Sequence, residues 1–177
     1  MATATLGSKA VGSTVKLKVN GTLRDFIIVH QGKPSTLYDA SCDGTWLLMK
    51  DCYVQKAWHS SNDNKYASST IHTYLNGEFL KLLETNIQSA IKQVKIPYHT
   101  GYGGSVKSGP SGLSCKIFLL GGYEVGWTTS TNSYFPVDGA CLSYFSGASD
   151  SKRVANYNGS AVYWWLRSPN LNSSGYA

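Results

Sequence analysis

Strict alternation of apolar and polar residues over Val15–Val19 predicts a half-exposed β-strand. Asn20-Gly21 follows, and this dipeptide favours a two-residue hairpin because both turn positions need a positive φ. The return strand is predicted over Leu23–His30, where the apolar run Phe26–Val29 indicates burial on both faces. A third strand is predicted over Trp46–Tyr53, so the chain should begin with a small antiparallel sheet.

Helical spacing replaces this alternation in the middle of the chain. Ser68 or Ser69 can cap a short helix that runs to Leu75, and Asn76-Gly77 predicts a left-handed C-cap there. Asn86 can cap a further short helix. The apolar residues of this region have the spacing of one buried helical face. They are Ile71, Tyr74, Leu75, Phe79, Leu82, Leu83, Ile87 and Ile91.

The second half has short strand signals separated by long loops. Strands are predicted over Gln93–Tyr98 and Lys116–Leu120, with a glycine-rich loop between them. Residues 121–160 are polar and aromatic and carry few element signals beyond a short helix near Tyr123–Val125. A connection of this length usually has a function or its own packing.

The heptapeptide Tyr163–Pro169 contains two of the five tryptophans. Its apolar part, Val162–Leu166, predicts a strand buried on both faces, which Pro169 ends because proline lacks the ladder donor. Trp164, Trp165, Leu166 and Arg167 are therefore assigned to the structural core, and Trp165→Ala is expected to cost about 3–5 kcal/mol. Arg167 must be hydrogen-bonded or stacked, either by attaching loops to this strand or by binding a ligand.

Composition favours a loop-rich α+β domain, with twelve tyrosines, eighteen glycines and only 15% charged residues. The net charge is +6, but the cations are mostly scattered lysines. Nucleic-acid readers usually concentrate arginine on one face, so no nucleic-acid partner is expected. Residues 1–13 are small and polar and predict a flexible N-terminal arm, with a single domain over 14–177.

Neither a secretory signal nor a run long enough to insert into a membrane occurs in the sequence. The four cysteines lack the spacing of a zinc site and are expected to be mostly buried, free thiols in a protein made in a cytoplasm. Asn62-Asp63-Asn64 offers too few oxygen ligands for calcium. His59 has no recognisable nucleophile or carboxylate orienter, so no cofactor, metal or catalytic residue is predicted.

Three features in a fixed order resemble a known family. They are Ser69–Phe79 with its Leu-Asn-Gly-x-Phe ending, Lys116–Leu120 followed by Tyr123-Glu124-Val125, and Tyr163–Pro169. Together they resemble an uncharacterised domain family of gut Firmicutes and their bacteriophages. That family is similar to the C-type-lectin-like fold of formylglycine-generating enzymes and of the variable proteins of diversity-generating retroelements.

The resemblance implies a non-enzymatic domain that displays a ligand-binding surface on a bacteriophage virion or tail fibre, for host attachment. The implied partners are a host-surface glycan or protein and neighbouring virion subunits, in a homo-oligomer. The ligand surface would be the segment after Pro169. Aromatic side chains of the late loops are further candidates because they supply rigid, amphipathic contact area. The candidate residues are Asn170, Asn172, Ser173, Ser174, Tyr176, Trp127 and Tyr134.

Family members continue beyond the Arg-Ser-Pro motif with a further hairpin and a closing strand, so this chain is expected to lack the final strands of the fold. A neighbouring subunit could complete such a sheet. Two alternatives remain open: a purely structural virion component, and an enzyme of the formylglycine-generating type. The enzyme would need a pair of late cysteines, for which Cys115 and Cys141 are the candidates, although neither lies in a matching motif.

Overall fold

The computed structural model describes residues 5–127 and 134–175. The chain begins with an antiparallel sheet in the order β1 (Thr14–Val19), β2 (Thr22–Gln31) and β3 (Thr45–Met49). Asn20 and Gly21 have φ values of 50° and 74°, which confirms the predicted hairpin. β3 is shorter than predicted and is the last strand of its sheet.

Short helices follow this sheet. They are α1 (Thr70–Tyr74), a π-helical turn (Leu75–Phe79), a 3₁₀ turn (Leu80–Leu82) and α2 (Thr85–Ala90). Ser69 caps α1 as predicted, since its Oγ accepts a hydrogen bond from His72 N at 3.1 Å. Further 3₁₀ turns occupy Leu6–Ser8, Ala40–Cys42, Tyr66–Ser68, Gly109–Ser111 and Asp150–Arg153.

Two helix boundaries differ from the prediction. Gly77 does not stop the helix in a left-handed cap, because it lies inside the π-helical turn and is not among the glycines with positive φ. Asn86 does not cap α2, because the helix begins one residue earlier and Glu84 occupies the N-cap position. In both places the helix runs through the residue that the local signal would place at its end.

Three two-stranded sheets make up the rest of the regular structure. β4 (Val94–Ile96) pairs with β7 (Leu113–Cys115), and β5 (Tyr98–His99) pairs with β6 (Val106–Lys107). β8 (Ala155–Tyr157) and β9 (Ser160–Val162) form a late hairpin. All pairings are antiparallel, so the structure confirms a mixed α/β architecture of small antiparallel sheets and short helices.

The predicted strand over Lys116–Leu120 is wrong, since β7 ends at Cys115 and the following residues are irregular. They are held instead by specific contacts. Asn76 Oδ1 accepts hydrogen bonds from Lys116 N and Ile117 N, and Tyr66 Oη accepts one from Leu119 N. The helix predicted near Tyr123–Val125 is a series of turns. In this region, side chains satisfy backbone groups that a strand partner would otherwise bind.

Two groups of buried side chains form the interior. The first lies between β1, β2 and the helical region and is centred on Val19, Phe26, Phe79 and Leu83. The second, larger group includes Val29, Trp46, Tyr66, Ile96 and Phe145. Residues before β1 also contact the sheet, because Gln31 Nε2 donates hydrogen bonds to Leu6 O and Lys9 O. Among the described residues, no helix is both long enough and apolar enough to span a bilayer.

Candidate functional site

A buried ion pair between Arg167 and Glu124 lies inside the domain. Both side chains are 0% exposed, and the contact is bidentate, with Nη1–Oε2 at 2.5 Å and Nη2–Oε1 at 2.7 Å. Paired planar groups of this kind make strong, orientation-specific hydrogen bonds. Glu124 therefore compensates the charge that would make an isolated guanidinium costly to bury.

Arg167 also joins three loops through their backbone carbonyls. Its Nε donates to Pro97 O at 3.1 Å, its Nη1 to Leu119 O at 3.0 Å and its Nη2 to Asp138 O at 2.9 Å. Its backbone N–H donates to Leu120 O. These contacts correspond to the loop-attaching role considered for Arg167 rather than to a ligand-binding role.

The carboxylate of Glu124 has no acceptor capacity left for a ligand. Besides the guanidinium, Oε1 accepts from Tyr38 Oη at 2.5 Å and Oε2 accepts from Gly121 N at 2.9 Å. Tyr38 Oη in turn accepts from Ala140 N at 3.0 Å. The buried network therefore positions the loops around it, and a substrate could bind Glu124 only by breaking existing bonds.

Burial and neighbouring charges have opposite effects on the pKa values of this network. Burial lowers the pKa of Arg167, but the charge and hydrogen bonds of Glu124 outweigh it and raise the net value, so the guanidinium stays charged. Burial raises the pKa of Asp138 against the opposing charge of Arg167. Asp138 Oδ1 accepts from Ser168 Oγ at 2.7 Å, whereas Oδ2 has no hydrogen-bond partner among the described residues. Asp138 is thus the least well satisfied carboxylate of the network.

An open apolar groove lies between β3 with its continuation and the late segment 151–166. Its cavity volume is about 730 Å³, which is within the range of ordinary ligand sites. Core side chains from both groups of the interior form its floor. These include Ile27, Leu48, Ile71, Leu75, Phe118 and Leu119.

Exposed aromatic residues surround this groove. Trp127 is 63% exposed and Trp165 is 41% exposed, while Tyr163 projects fully into solvent. Trp127 packs on Phe135 with ring centroids 5.3 Å apart. Trp165 packs on Trp58 at 5.7 Å and donates its Nε1–H to Lys56 O at 3.0 Å. Both tryptophans are therefore held in place while a large part of each ring remains accessible.

The segment Tyr163–Leu166 forms one edge of the groove. Tyr163 and Trp165 are exposed, whereas Trp164 and Leu166 pack against the core, and this alternation is that of an extended chain. Within the described residues, no hydrogen bond involves the backbone N–H or C=O groups of these four residues. The predicted strand buried on both faces is therefore wrong: β9 ends at Val162, one face is open, and Trp165 is not a core residue.

The charges along the groove are mainly positive. Among its described lining residues, Lys50, Lys56, Lys152 and Arg153 are cationic, and Asp51 is the single acidic one. Lys56 and Lys152 lie over tyrosine rings at 4.3 and 4.7 Å. Arg153 is partly neutralised by Asp150 at 3.0 Å. A ligand in the groove would therefore meet an apolar floor and a basic rim.

The polar residues predicted after Pro169 lie elsewhere. Asn64 Nδ2 donates to Asn170 O at 2.9 Å and to Ser173 O at 2.8 Å, which ties this segment to the loop at 61–65. Asn172 is exposed, as is Ser174, which lines a second cavity of about 360 Å³ with that loop and Tyr102. Tyr176 lies outside the described residues. The described candidates of this segment are therefore separate from the groove.

Two further candidates were predicted among the late aromatic residues. Trp127 lines the groove, as described above. Tyr134 is 57% exposed and its carbonyl accepts a hydrogen bond from Leu171 N at 2.8 Å. It does not line the groove, so Trp127 is the one described ligand candidate that lines the same groove as Tyr163–Leu166.

The residues considered for catalysis do not form a reactive cluster in the described part of the chain. Burial raises the pKa of Cys115 to about 12, and Cys115 and Cys141 are both free thiols. His59 Nδ1 accepts a hydrogen bond from the backbone N–H of Ser61 at 3.2 Å, a local structural contact. Over residues 5–127 and 134–175, no group of three His, Cys, Asp or Glu side chains could hold a metal ion.

Sequence reasoning did not identify the partners of Arg167 or the groove. Glu124 belongs to a predicted short helix and to one feature of the family resemblance, neither of which indicates its partner, and Asp138 and Tyr38 carry no local signal. A single acidic residue between apolar neighbours in Tyr123-Glu124-Val125 is the one clue, because such a residue must be paired if it is buried. The groove depends on which distant segments lie side by side, and periodicity along the chain does not report that.

Comparison with known proteins gives one family. No curated protein and no solved structure matches the chain significantly. Residues 43–177, which are most of the chain, match the family described as Domain of unknown function (DUF6273). The matched region starts just before β3 and contains Glu124, Asp138, Arg167 and the late edge of the groove. The chain therefore belongs to the DUF6273 family.

Proposed function

We propose that this domain is a non-enzymatic recognition module that binds its ligand in the groove between β3 and Tyr163–Leu166. The observation that supports this is the set of exposed aromatic side chains around an apolar cavity of about 730 Å³. Large apolar surfaces on a folded domain are costly in water and usually mark an interaction site. Rigidly held aromatic residues also lose little conformational entropy on binding.

The buried network has a structural role, which differs from the binding role proposed for the groove. Arg167 and Glu124 satisfy each other and fix the loops beside the groove, so they form a scaffold. Trp127, Tyr163 and Trp165 offer contact area, and no group of three metal-ligating side chains occurs among the described residues. The chemistry of the groove thus favours binding over catalysis.

The biological setting is proposed from the family resemblance given above. The domain would have a C-type-lectin-like fold and act on a bacteriophage particle, attaching it to a glycan or protein on a host surface. The small antiparallel sheets, short helices and long irregular connections are compatible with such a fold. Mass spectrometry of purified particles should find the protein among the virion components, and its absence would contradict this setting.

Cell binding tests the recognition role. Purified protein labelled with a fluorophore should bind cells of a gut Firmicutes host, and Trp127→Ala and Tyr163→Ala should each reduce binding at least fivefold. Tyr102→Ala is the matched control, because Tyr102 is 55% exposed and lies outside the groove. Circular dichroism should show all three variants folded, since each removes an exposed ring.

Two results would contradict the proposal. The first is that the three substitutions reduce cell binding equally, because the groove would then have no special part. The second is that no host in a panel binds the protein while the protein is abundant in purified particles. That result would favour the purely structural alternative, in which a neighbouring subunit covers the groove.

A further inference from the structure

We infer that the groove binds an extended peptide segment of a partner polypeptide, which adds as a β-strand beside Tyr163–Leu166 and the outer edge of β3. This inference rests on the proposal that the groove is a ligand site, and it specifies the ligand. The partner segment would carry apolar side chains at alternate positions and acidic residues near its ends. Edge addition of this kind is an established mode of peptide recognition.

Backbone edges, rather than strand faces, line the groove. The residues 47–56 all line it without a break, and so do the residues 162–166. Successive side chains of an extended chain point to opposite faces. An unbroken run of lining residues is therefore expected where a cavity follows the edge of a strand.

Both edges have backbone groups available. β3 ends its sheet, so half of its N–H and C=O groups point away from β2 without a strand partner. The four residues Tyr163–Leu166 make no backbone hydrogen bond within the described residues, although their burial alternates as in a strand. An added strand would supply the missing partners, and this is the usual way in which an open edge is used or blocked.

The floor and length of the groove suit a short apolar strand. The strand part of the first run is Leu47–Met49, because Lys50 and Asp51 are bends and Cys52 N already donates to Asn156 O at 2.8 Å. With Tyr163–Leu166 on the other side, a segment of about four residues, roughly 13 Å long, would pair with these edges. Apolar side chains on one face of that segment would cover Leu48, Ile71 and Phe118, which now form the floor.

The rim specifies the ends of the partner segment. Lys50 and Lys152 are both exposed, and Asp51 is the single acidic residue among the described lining residues. Acidic residues flanking the apolar core of the segment would complement this charge and speed association. A glycan fits less well, because its hydroxyl groups would lie over a floor of aliphatic and aromatic carbon with few hydrogen-bonding partners.

Peptide selection with backbone methylation tests the inference. A displayed library of random nine-residue linear peptides would be selected against the purified chain and the binders measured by fluorescence polarisation. Selected peptides should alternate apolar residues and carry Asp or Glu near their ends. Methylating peptide nitrogens one at a time should weaken binding more than tenfold at successive positions of the paired stretch and have little effect at its flanking ends, because successive N–H groups face Tyr163–Leu166 and β3 in turn.

Substitutions in the protein locate the site. Lys50→Glu and Tyr163→Ala should weaken the selected peptides at least fivefold, whereas Lys107→Glu and Tyr102→Ala, which lie outside the groove, should leave the affinity unchanged. Binders that tolerate methylation at every position, or that ignore the groove substitutions, would overturn the strand model. So would self-association of the chain that Tyr163→Ala abolishes in sedimentation experiments.

The outcomes separate this inference from the proposed function. If host cells bind through the groove but a glycan array, and no peptide, yields groove-dependent ligands, recognition stands and the peptide inference fails. If peptides bind with the methylation pattern but no host cell does, the peptide inference stands and the host-recognition role fails.

Discussion

At the scale of single residues, the sequence predicts that Arg167 needs a partner but does not identify that partner. A guanidinium between tryptophans and a proline must be paired if it is buried, and this follows from the sequence and from the cost of burying a charge. Its partner, Glu124, lies 43 positions away, and no pattern along the chain connects the two. The sequence thus predicts that Arg167 must be paired, but it does not predict that Glu124 is its partner.

Removing one partner of the pair should be strongly destabilising. Arg167→Met leaves Glu124 charged, buried and unpaired, and we expect a loss of about 3–5 kcal/mol in the free energy of unfolding. Urea denaturation would measure it. The double variant Arg167→Met/Glu124→Leu should cost clearly less than the sum of the single variants, and simple additivity would contradict a direct ion pair.

Asp138 should make stability depend on pH. Its pKa is raised in the folded state by burial, so the folded protein holds the proton more tightly than the unfolded chain does. The contribution of Asp138 is therefore fully present below its unfolded pKa and is lost as pH rises through the folded pKa. Asp138→Asn should consequently gain stability relative to the wild type as the pH rises above the ordinary aspartate pKa of about 4, measured by urea denaturation. A difference between the two proteins that does not change as the pH rises would contradict the assignment.

Trp58 and Trp165 form a matched pair for testing burial. Their rings are in contact, but Trp58 is 8% exposed and Trp165 is 41% exposed. We expect about 3–5 kcal/mol for Trp58→Ala and about 1–2 kcal/mol for Trp165→Ala, because truncation of a half-exposed ring leaves a smaller cavity. If thermal or urea unfolding showed equal losses of stability for the two variants, Trp165 would have to be a core residue.

At the scale of elements, local signals correctly predicted the first hairpin and the Ser69 cap but not the helix ends at Gly77 and Asn86, and long-range pairing was not predicted. The β1–β2 hairpin was predicted because Asn20-Gly21 and the alternation before it are complete within a few residues. The runs Lys116–Leu120 and Val162–Leu166 have strand composition but are not strands. A strand needs a partner, and an apolar run alone does not report whether one is present.

Glycine substitutions test the corrected helix boundary. Gly77→Ala should be neutral or stabilising by up to about 1 kcal/mol, because Gly77 lies in a helical turn with open space around its Cα. Gly121→Ala should instead cost about 1–3 kcal/mol, because its Cβ would lie 2.9 Å from Asp138 Oδ1 and 3.3 Å from Arg167 Cζ. Thermal unfolding compares the two, and clear destabilisation by Gly77→Ala would support the left-handed cap that the sequence predicts.

At the scale of the whole molecule, a buried hydrogen-bonded network lies beside a chain segment whose backbone groups have no hydrogen-bond partner among the described residues. The Arg167 network saturates its central carboxylate, whereas the neighbouring segment Tyr163–Leu166 has no backbone hydrogen bond within the described residues and exposes Tyr163 and Trp165. The network and the unpaired segment meet at consecutive residues, Leu166 and Arg167. Arg167, which is fixed by the network, therefore holds Tyr163–Leu166 in position beside the groove.

Amide hydrogen exchange, read residue by residue by NMR, tests this claim most directly. The account predicts that the N–H groups of Tyr163–Leu166 exchange within about tenfold of unfolded-chain rates, while the N–H of Arg167, bonded to Leu120 O at 2.9 Å, is protected. Binding of a selected peptide should then protect alternate amides of Tyr163–Leu166. Protection of these four amides equal to that of Arg167 in the free domain, or no change on binding, would contradict the account.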